Sequence, residues 1–125
     1  MYISGEGVPK DRKEAVKWFR LAADQGLADA QSNLGLMYTS GEGVPEDRKE
    51  AMKWFRRAAD QGHAEAQYNL GVAYDNGQGI PEDHKKTLKW YRLAADQGYS
   101  SAQYNLGVMY RCLLYTSDAA DDSLR

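Results

Sequence analysis

Few residues of this chain belong to the types that perform catalysis or bind metals. Its 125 residues include two histidines, His63 and His84, and a single cysteine, Cys112. We interpret both histidines as surface variation, because they occupy different positions of an internal repeat and form no pair at metal-ligand spacing. The chain has no HExxH, GxSxG, SxxK, CxxC or GxxxxGK motif. The sequence therefore predicts no enzyme activity, no catalytic residue, no metal site and no cofactor.

Glycine-rich connectors are the next candidates, since a glycine loop before a helix can bind phosphate. GEG occurs at 5–7 and 41–43 and GQG at 77–79, each shortly before a predicted helix start. Aspartates stand at all three helix starts, where their carboxylates would repel an anion. We therefore interpret the glycines as residues of left-handed turns.

A basic strip is the third candidate, because each copy of the repeat carries two lysines and an arginine at helical spacing. On a helical wheel the strip lies opposite the tryptophans, and Asp24, Asp60 and Asp96 lie within it. This mixture predicts a solvated face with ion pairs such as Arg20–Asp24 and no nucleic-acid site. The strip consists of Lys13, Lys17, Arg20, Lys49, Lys53, Arg56, Lys85, Lys89 and Arg92.

Composition points to a folded domain without affinity for polyanions. Lysine and arginine number 16 and aspartate and glutamate 18, which gives a net charge of -2. This charge argues against a generally basic nucleic-acid or membrane-surface binder. No apolar run approaches the ~18 residues of a membrane span, so no membrane insertion is expected. Three tryptophans, nine tyrosines and two phenylalanines argue against disorder.

The elements that would position any site come from an internal repeat. Three copies occupy residues 3–38, 39–74 and 75–110 without insertion or deletion, so the period is 36 residues. Each copy predicts two amphipathic helices. We call the longer predicted helix, 11–24 in the first copy, the tryptophan helix, and the shorter one, about 28–38, the asparagine helix. Together they predict an all-α stack of helix pairs, a solenoid.

Local signals mark the ends and the contacts of these helices. Asp11 is predicted as the N-cap of a capping box with Glu14, and Gly26 as the left-handed stop. Asp47 and Glu50 repeat the capping box, whereas Asp83 keeps only the cap. The tryptophan of each copy is predicted to lie in the core between helices. A glycine costs roughly 1 kcal/mol inside a helix, yet Gly35 recurs as Gly71 and Gly107. This recurrence predicts helices that approach too closely for a side chain.

The repeat resembles a known family. YNLGVAY (68–74) and the Ala-aromatic-Ala pattern of the next helix look like the tetratricopeptide pattern. The 36-residue period, the GEGVP connector and the AxxWFxxAADQG helix resemble more closely the Sel-one-like repeats, a branch of that superfamily. The resemblance implies a right-handed α/α solenoid of antiparallel helix pairs. It also implies that the asparagine helix comes first in each pair and that a protein or peptide partner binds the concave face.

The resemblance also implies a binding groove on the asparagine helices. Its positions lie one or two turns around from each Leu-Gly pair, and they vary between copies while the predicted core does not. Two tyrosines, an aliphatic floor and few charges suit a short, partly apolar peptide. Acidic Asp29 and Glu65 at one end favour a basic residue there. The predicted groove consists of Asp29, Ser32, Leu36, Thr39, Glu65, Tyr68, Val72, Asp75, Ser101, Tyr104, Val108 and Arg111.

Asn33, Asn69 and Asn105 complete the predicted groove, since they recur beside it in every copy. In related tetratricopeptide domains an asparagine at this place holds the backbone of a bound peptide. The alternative is a hydrogen bond to a neighbouring helix or loop, and the sequence leaves both open.

Both ends depart from the repeat, which covers residues 1–110. Met1 aligns with Met37, so the first asparagine helix is absent and the chain is expected to be truncated at both ends. CLLYTSDAADD (112–122) looks like a translated sequencing adapter, and we interpret 111–125 as read-through. The alternative is a divergent C-terminal capping helix. The stripe of Ala15, Trp18, Phe19 and Ala22 is then exposed, which predicts marginal stability and self-association.

The predicted function is a non-catalytic scaffold or adaptor for protein partners. One alternative is that the repeats are a spacer in a larger multidomain protein. A second alternative is the cysteine-rich branch of the family, which is linked to β-lactam binding or hydrolysis. This chain lacks the paired cysteines and the serine-lysine motif of that branch.

Overall fold

Six α-helices follow one another in the described part of the chain, and consecutive helices pack side by side. The computed structural model describes residues 9–77 and 82–120, with side chains for 11–77 and 82–112. The helices form a right-handed α/α solenoid of antiparallel pairs, as predicted. They are α1 (Pro9–Asp24), α2 (Ala28–Ser40), α3 (Arg48–Asp60), α4 (Ala64–Asn76), α5 (His84–Asp96) and α6 (Ser100–Ala120).

Helix lengths differ from the sequence prediction. Tryptophan helices α3 and α5 and asparagine helices α2 and α4 all have 13 residues, so the asparagine helices are not shorter. The asparagine helices extend to left-handed glycines, Gly41 and Gly77, at φ 79° and 69°. These glycines confirm the left-handed turns expected there, whereas 5–7, 78 and 79 lie outside the described residues. Gly26 has φ 97°, as expected for a helix stop.

The predicted capping differs between copies. Asp47 caps α3 by accepting from the Glu50 amide at 3.0 Å, while its own amide donates to the Tyr38 carbonyl at 2.9 Å. In a complete capping box the Glu50 side chain would accept from the Asp47 amide. Because this amide donates to the Tyr38 carbonyl instead, that second hydrogen bond of the box is not formed. Helix α1 begins at Pro9, so Asp11 lies in its first turn and the predicted N-cap there is wrong. Proline suits a first helical position because no partner for its nitrogen is needed there.

Close packing between neighbouring repeats explains the helix-internal glycines. A Cβ on Gly35 would lie 2.7 Å from Phe55 Cε1, and one on Gly71 would lie 2.5 Å from Tyr91 Cδ1. The prediction of close approach is therefore confirmed at these two positions. At Gly107 nothing lies within 4 Å, so the prediction fails there. The contacting ring always comes from the following tryptophan helix, and in the described residues none follows α6.

The burial of the tryptophans also differs between copies. Trp54 and Trp90 are each 4% exposed and pack in the core, as predicted, whereas Trp18 is 58% exposed. Trp54 packs against α1 and α2 through Val16 and Leu34. For Trp18 the described residues contain no earlier helix pair that could cover it. The exposed stripe predicted on α1 is wrong for Ala15, Phe19 and Ala22, which are half-buried, and Phe19 and Ala22 pack against the core.

Buried glutamines link each repeat to the next, a feature that the sequence analysis missed. Gln67 donates to the Ala59 carbonyl at 3.2 Å and accepts from Gln97 at 2.9 Å. One repeat earlier, Gln31 donates to the Ala23 carbonyl and accepts from Gln61. The available signal was the identity of both glutamines in all three copies. Each bond satisfies a polar group inside the stack, which fixes how adjacent repeats sit on each other.

Candidate partner-binding site

The α2 part of the predicted groove is partly closed. Asp29 is exposed, and its Oδ1 lies 2.8 Å from His63 Nε2 of the next repeat. Leu36 is 37% exposed, whereas Ser32 is only 2% exposed. The equivalent residues in the other copies are Tyr68 and Tyr104, and a serine side chain is too short to reach the surface from this position. Ser32 therefore presents no side chain to a partner in this structure, and Thr39 uses its hydroxyl to donate to the Gly35 carbonyl.

On α4, Tyr68 lies within a tyrosine cluster formed with Tyr91 and Tyr99. Its ring stacks on Tyr91 at a centroid distance of 5.5 Å and contacts Tyr99 at 5.3 Å. Burial, and to a lesser degree the charges of Asp75 and Tyr68, raise the pKa of Tyr91, which a hydrogen bond from Asn105 partly offsets. Sequence reasoning named only Tyr68, so the structure adds two rings. Tyr68 serves as packing as well as surface.

The other α4 positions differ in how far they are open. Glu65 is exposed, while Val72 and Asp75 are half-buried. Burial, followed by the nearby charges of Glu65 and Tyr68, raises the pKa of Tyr99. Asp75 lies 3.3 Å from His84, so its carboxylate already has a partner. Glu65 has no ion-pair partner among the described side chains and keeps an available negative charge.

The α6 positions form the most open part of the predicted groove. Tyr104 is 73% exposed, Ser101 is exposed, and Val108 is half-buried. A surface depression of about 440 Å³ is lined by Tyr68, Ser100, Ser101, Tyr104 and Asn105. A second, of about 280 Å³, is lined by Gln103, Tyr104, Gly107, Val108 and Arg111. The structure thus brings the α4 and α6 parts of the groove together at Tyr104.

The three asparagines have different surroundings although the residue is the same in each copy. Asn33 is exposed and donates to the Asp29 carbonyl of its own helix at 3.0 Å. Asn105 donates to the hydroxyls of Tyr68 and Tyr91, each at 3.3 Å. Asn69 is half-buried, and its covered amide nitrogen has no hydrogen-bond partner. The structure therefore contains the intramolecular hydrogen bonds at Asn33 and Asn105, and Asn69 keeps an unused donor.

His63 has a structural role that the sequence analysis missed. Its Nδ1 accepts from the Ala66 amide at 3.2 Å and caps α4. This acceptor geometry places the ring proton on Nε2, which faces Asp29. His84 is exposed and lies near Asp75 and Glu82, in line with surface variation. A histidine at a helix start, where serine or aspartate usually caps, was the available signal.

The basic strip is largely a solvated face, as predicted, because eight of its nine members are exposed and only Arg20 is half-buried. The example pair Arg20–Asp24 is not among the ion pairs of the described side chains. Arg20 donates to the Tyr38 hydroxyl, and Arg92 donates to the Tyr110 hydroxyl at 2.6 Å. Arg56 forms the expected type of ion pair with Asp60 at 3.1 Å, yet its guanidinium also lies 5.4 Å from the Trp90 ring centroid. The arginines reach sideways onto aromatic residues of the next helices, because cation–π contacts are available there.

Two searches of the described residues gave no candidates. No group of three or more His, Cys, Asp or Glu side chains is placed to hold a metal ion. Among the described helices none combines the length and the apolar character needed to cross a membrane.

Three solved structures with the same architecture come from bacteria. A Sel1 repeat protein from Oxalobacter formigenes is 42% identical, with a TM-score of 0.75, over 78% of this chain and 40% of that chain. The Escherichia coli protein c5321, described as a protective antigen of uropathogenic strains with an SLR fold, is 47% identical with a TM-score of 0.80. That match covers 85% of this chain and 23% of c5321. The chain thus spans less than half the length of either protein.

Cysteine rich protein B of Helicobacter pylori shares the fold at a TM-score of 0.59 and 19% identity, over 79% of this chain and 97% of that chain. A search of curated proteins gave no match.

A family model assigns nearly the whole chain. The Sel1 repeat model matches residues 1–27, 28–63, 64–99 and 100–116. Its two complete repeats begin at the asparagine helix, which agrees with the helix order that the resemblance implied. Solenoids of this type are commonly protein-interaction scaffolds and are generally non-catalytic. The repeated helix pairs, the glycine contacts and this match together show that the chain belongs to the Sel1 repeat family.

Proposed function

We propose that this Sel1 repeat chain is a non-catalytic adaptor that binds a peptide segment of a partner protein on its asparagine helices. The observation that carries the proposal is the open surface between α4 and α6. There Tyr104 is largely exposed beside a depression that Tyr68, Ser101 and Asn105 also line. Exposed aromatic side chains beside a depression are typical anchors for a partner's side chains.

The charge of this surface supports a preference in the partner. Glu65 is exposed on α4 and has no ion-pair partner among the described side chains, whereas Asp29 is engaged by His63. A peptide that places an apolar side chain at Tyr104 and a lysine or arginine towards Glu65 fits both features. Complementary charge at the rim of an interface contributes chiefly to specificity and association rate.

The test uses peptides selected from a displayed random library on the immobilised chain. Their affinities are then measured by fluorescence polarisation for the wild type, Tyr104→Ala and Leu93→Ala. Leu93 is an exposed leucine on α5 outside the predicted groove and serves as the matched control. Loss of an aromatic anchor costs about 1–2 kcal/mol, or roughly 5- to 30-fold in affinity. We expect this loss for Tyr104→Ala alone.

Two results would contradict the proposal. One is that every selected peptide binds Tyr104→Ala as tightly as the wild type. The other is that Leu93→Ala weakens binding by the same factor, because the peptides then do not bind at the asparagine helices.

We further propose that the outer faces of α1 and α6 allow the chain to self-associate. Trp18 is exposed where Trp54 and Trp90 are buried, and Gly107 has free space where Gly71 receives a ring. We expect light scattering after gel filtration to show a mass that rises with concentration, and Trp18→Glu to reduce that rise. A concentration-independent monomer would contradict this proposal.

A further inference from the structure

A second surface of the molecule is lined by cations and lies on the tryptophan helices. A depression of about 410 Å³ is bounded by α3 and by two residues of α4. None of its lining residues belongs to the predicted groove. We call it the basic depression, and it is lined by Lys49, Met52, Lys53, Arg56, Arg57, Leu70 and Tyr74.

Helix α5 adds two more cations to the edge of the basic depression. The ammonium of Lys86 lies 5.3 Å from the ring centroid of Tyr74, which lines the depression. The ammonium of Lys89 lies 5.0 Å from the ring centroid of Trp90, and Arg56 lies over the same ring at 5.4 Å. These aromatic contacts hold the cations around one opening rather than spreading them into solvent.

Few carboxylates neutralise this charge. Lys53 lies 3.7 Å from Glu50, and Arg56 lies 3.1 Å from Asp60. The remaining four cations have no carboxylate partner among the described side chains. They are Lys49, Arg57, Lys86 and Lys89.

Comparison of the repeats shows that part of this charge is particular to this one. Lys49, Lys53 and Arg56 recur in every copy as members of the basic strip, whereas two further cations do not. Arg57 replaces Leu21 of the preceding repeat, and Lys86 replaces Glu50. Both replacements add positive charge to the same depression, although the surrounding helices are nearly identical in sequence. The packing of the repeat therefore does not require these cations, since the preceding repeat forms its helices without them.

The lining also indicates what kind of anion fits. Met52, Leu70 and Tyr74 form an apolar floor that is itself buried, and the methylene stems of the lysines and arginines form the walls. A short aliphatic side chain can contact this floor while flanking carboxylates meet the cations above it. Guanidinium groups bind carboxylates through two parallel hydrogen bonds, which favours Arg57 as the main contact.

We propose that the basic depression binds an acidic peptide segment of a partner protein, with one aliphatic side chain between aspartates or glutamates. A nucleic acid fits less well, because Glu50 and Asp60 lie beside two of the lining cations and repel its phosphates. The peptide binds a different face from the groove of the proposed function and has the opposite charge preference. Either site can fail without the other.

The test uses a fluorescein-labelled synthetic peptide with one leucine flanked by glutamates on both sides. Its binding is measured by fluorescence polarisation at low and at physiological salt, for the wild type and for Lys86→Glu. Lys13→Glu is the matched control, because it changes the net charge equally at an exposed lysine of α1. We expect Lys86→Glu to weaken binding about tenfold and Lys13→Glu to weaken it less than about twofold.

Four comparisons decide the proposal. A peptide with serine in place of leucine binds more weakly if the apolar floor is used, and Tyr104→Ala leaves the acidic peptide unaffected. Equal loss for Lys86→Glu and Lys13→Glu would show only a general charge effect and would overturn the site. Single-stranded oligothymidylate that binds as tightly as the peptide would assign the cations to nucleic acid instead.

Discussion

Replacing Gly71 by alanine isolates the contact between neighbouring repeats. The new Cβ would lie 2.5 Å from both Cδ1 and Cε1 of Tyr91, whereas carbon atoms pack at about 3.5–4.0 Å. The Tyr91 ring has little room to move, because it is buried, stacks on Tyr68 and has its hydroxyl bonded by Asn105. Gly71→Ala therefore forces α4 and α5 apart or displaces this ring.

Gly107→Ala is the matched control, since it makes the same substitution at the equivalent position of α6. Nothing lies within 4 Å of the added Cβ there. Alanine in place of glycine stabilises a helix by about 1 kcal/mol at either position. Overpacking costs typically about 1–3 kcal/mol and applies only at Gly71. The free energies of unfolding of the two variants are therefore expected to differ by about 1–3 kcal/mol, with Gly107→Ala the more stable.

The assay is urea unfolding followed by far-ultraviolet circular dichroism. Hydrogen exchange complements it, because repeat proteins can unfold locally. Faster exchange in Gly71→Ala is expected in α4 and α5. A double-mutant cycle with Tyr91→Ala tests the cause, since removing the ring should make Gly71→Ala favourable. The reasoning is refuted if Gly71→Ala is as stable as Gly107→Ala, or if its cost persists without the Tyr91 ring.

Two further predictions concern the buried polar groups. Gln67→Ala leaves the Ala59 carbonyl without its side-chain donor and removes one of the two acceptors of Gln97, which keeps its bond to the Gly62 carbonyl; we expect a loss of about 1–3 kcal/mol in chemical denaturation. Gln103→Ala, which loses only its bond to the Ala95 carbonyl, should cost less, and an equal cost for both would contradict the linking role. Because burial raises the pKa of Tyr91 above its ordinary 10.0, the folded state holds this proton more tightly than the unfolded state. The stabilisation that protonated Tyr91 gives to the folded state is fully present below pH 10, and it is lost as the pH rises through the raised pKa of Tyr91. Thermal melts from about pH 8 to about pH 11 should therefore show a smaller alkaline loss in Tyr91→Phe than in the wild type, and an unchanged loss would count against this assignment.

Local patterns in the sequence were sufficient for the helices and for some of their ends. The 36-residue spacing of glycines, tryptophans and asparagines predicts the helix pairs, because a repeat buries its apolar face only against its neighbours. Asp47 and Gly26 act at the helix ends as predicted, since caps and stops depend on a few adjacent residues. The N-cap predicted at Asp11 was wrong because α1 begins two residues earlier, at Pro9, which places Asp11 inside the first turn.

The candidate binding surfaces were less accessible to sequence reasoning. The predicted groove included Ser32, which is buried, and omitted Tyr91 and Tyr99, which pack around Tyr68. The helical wheel placed the basic strip opposite the tryptophans of its own helices, and it gave no sign that the arginines contact aromatic rings on following helices. A helical wheel describes one helix, and long side chains extend beyond its faces to the next helix.

The sequence by itself determined the family, the period, the order of the helices and two of the three glycine positions where a neighbouring helix packs closely. Only the tertiary structure decided what each repeated residue does. Asn105 bonds Tyr68 from 37 residues away, and His63 contacts Asp29 from 34 residues away. Such partners belong to the adjacent repeat, so even an asparagine that recurs in every copy has different partners in different copies. In the same way Gly71 receives a ring and Gly107 receives none, and the depression beside Arg57 collects cations that have no carboxylate partner among the described side chains.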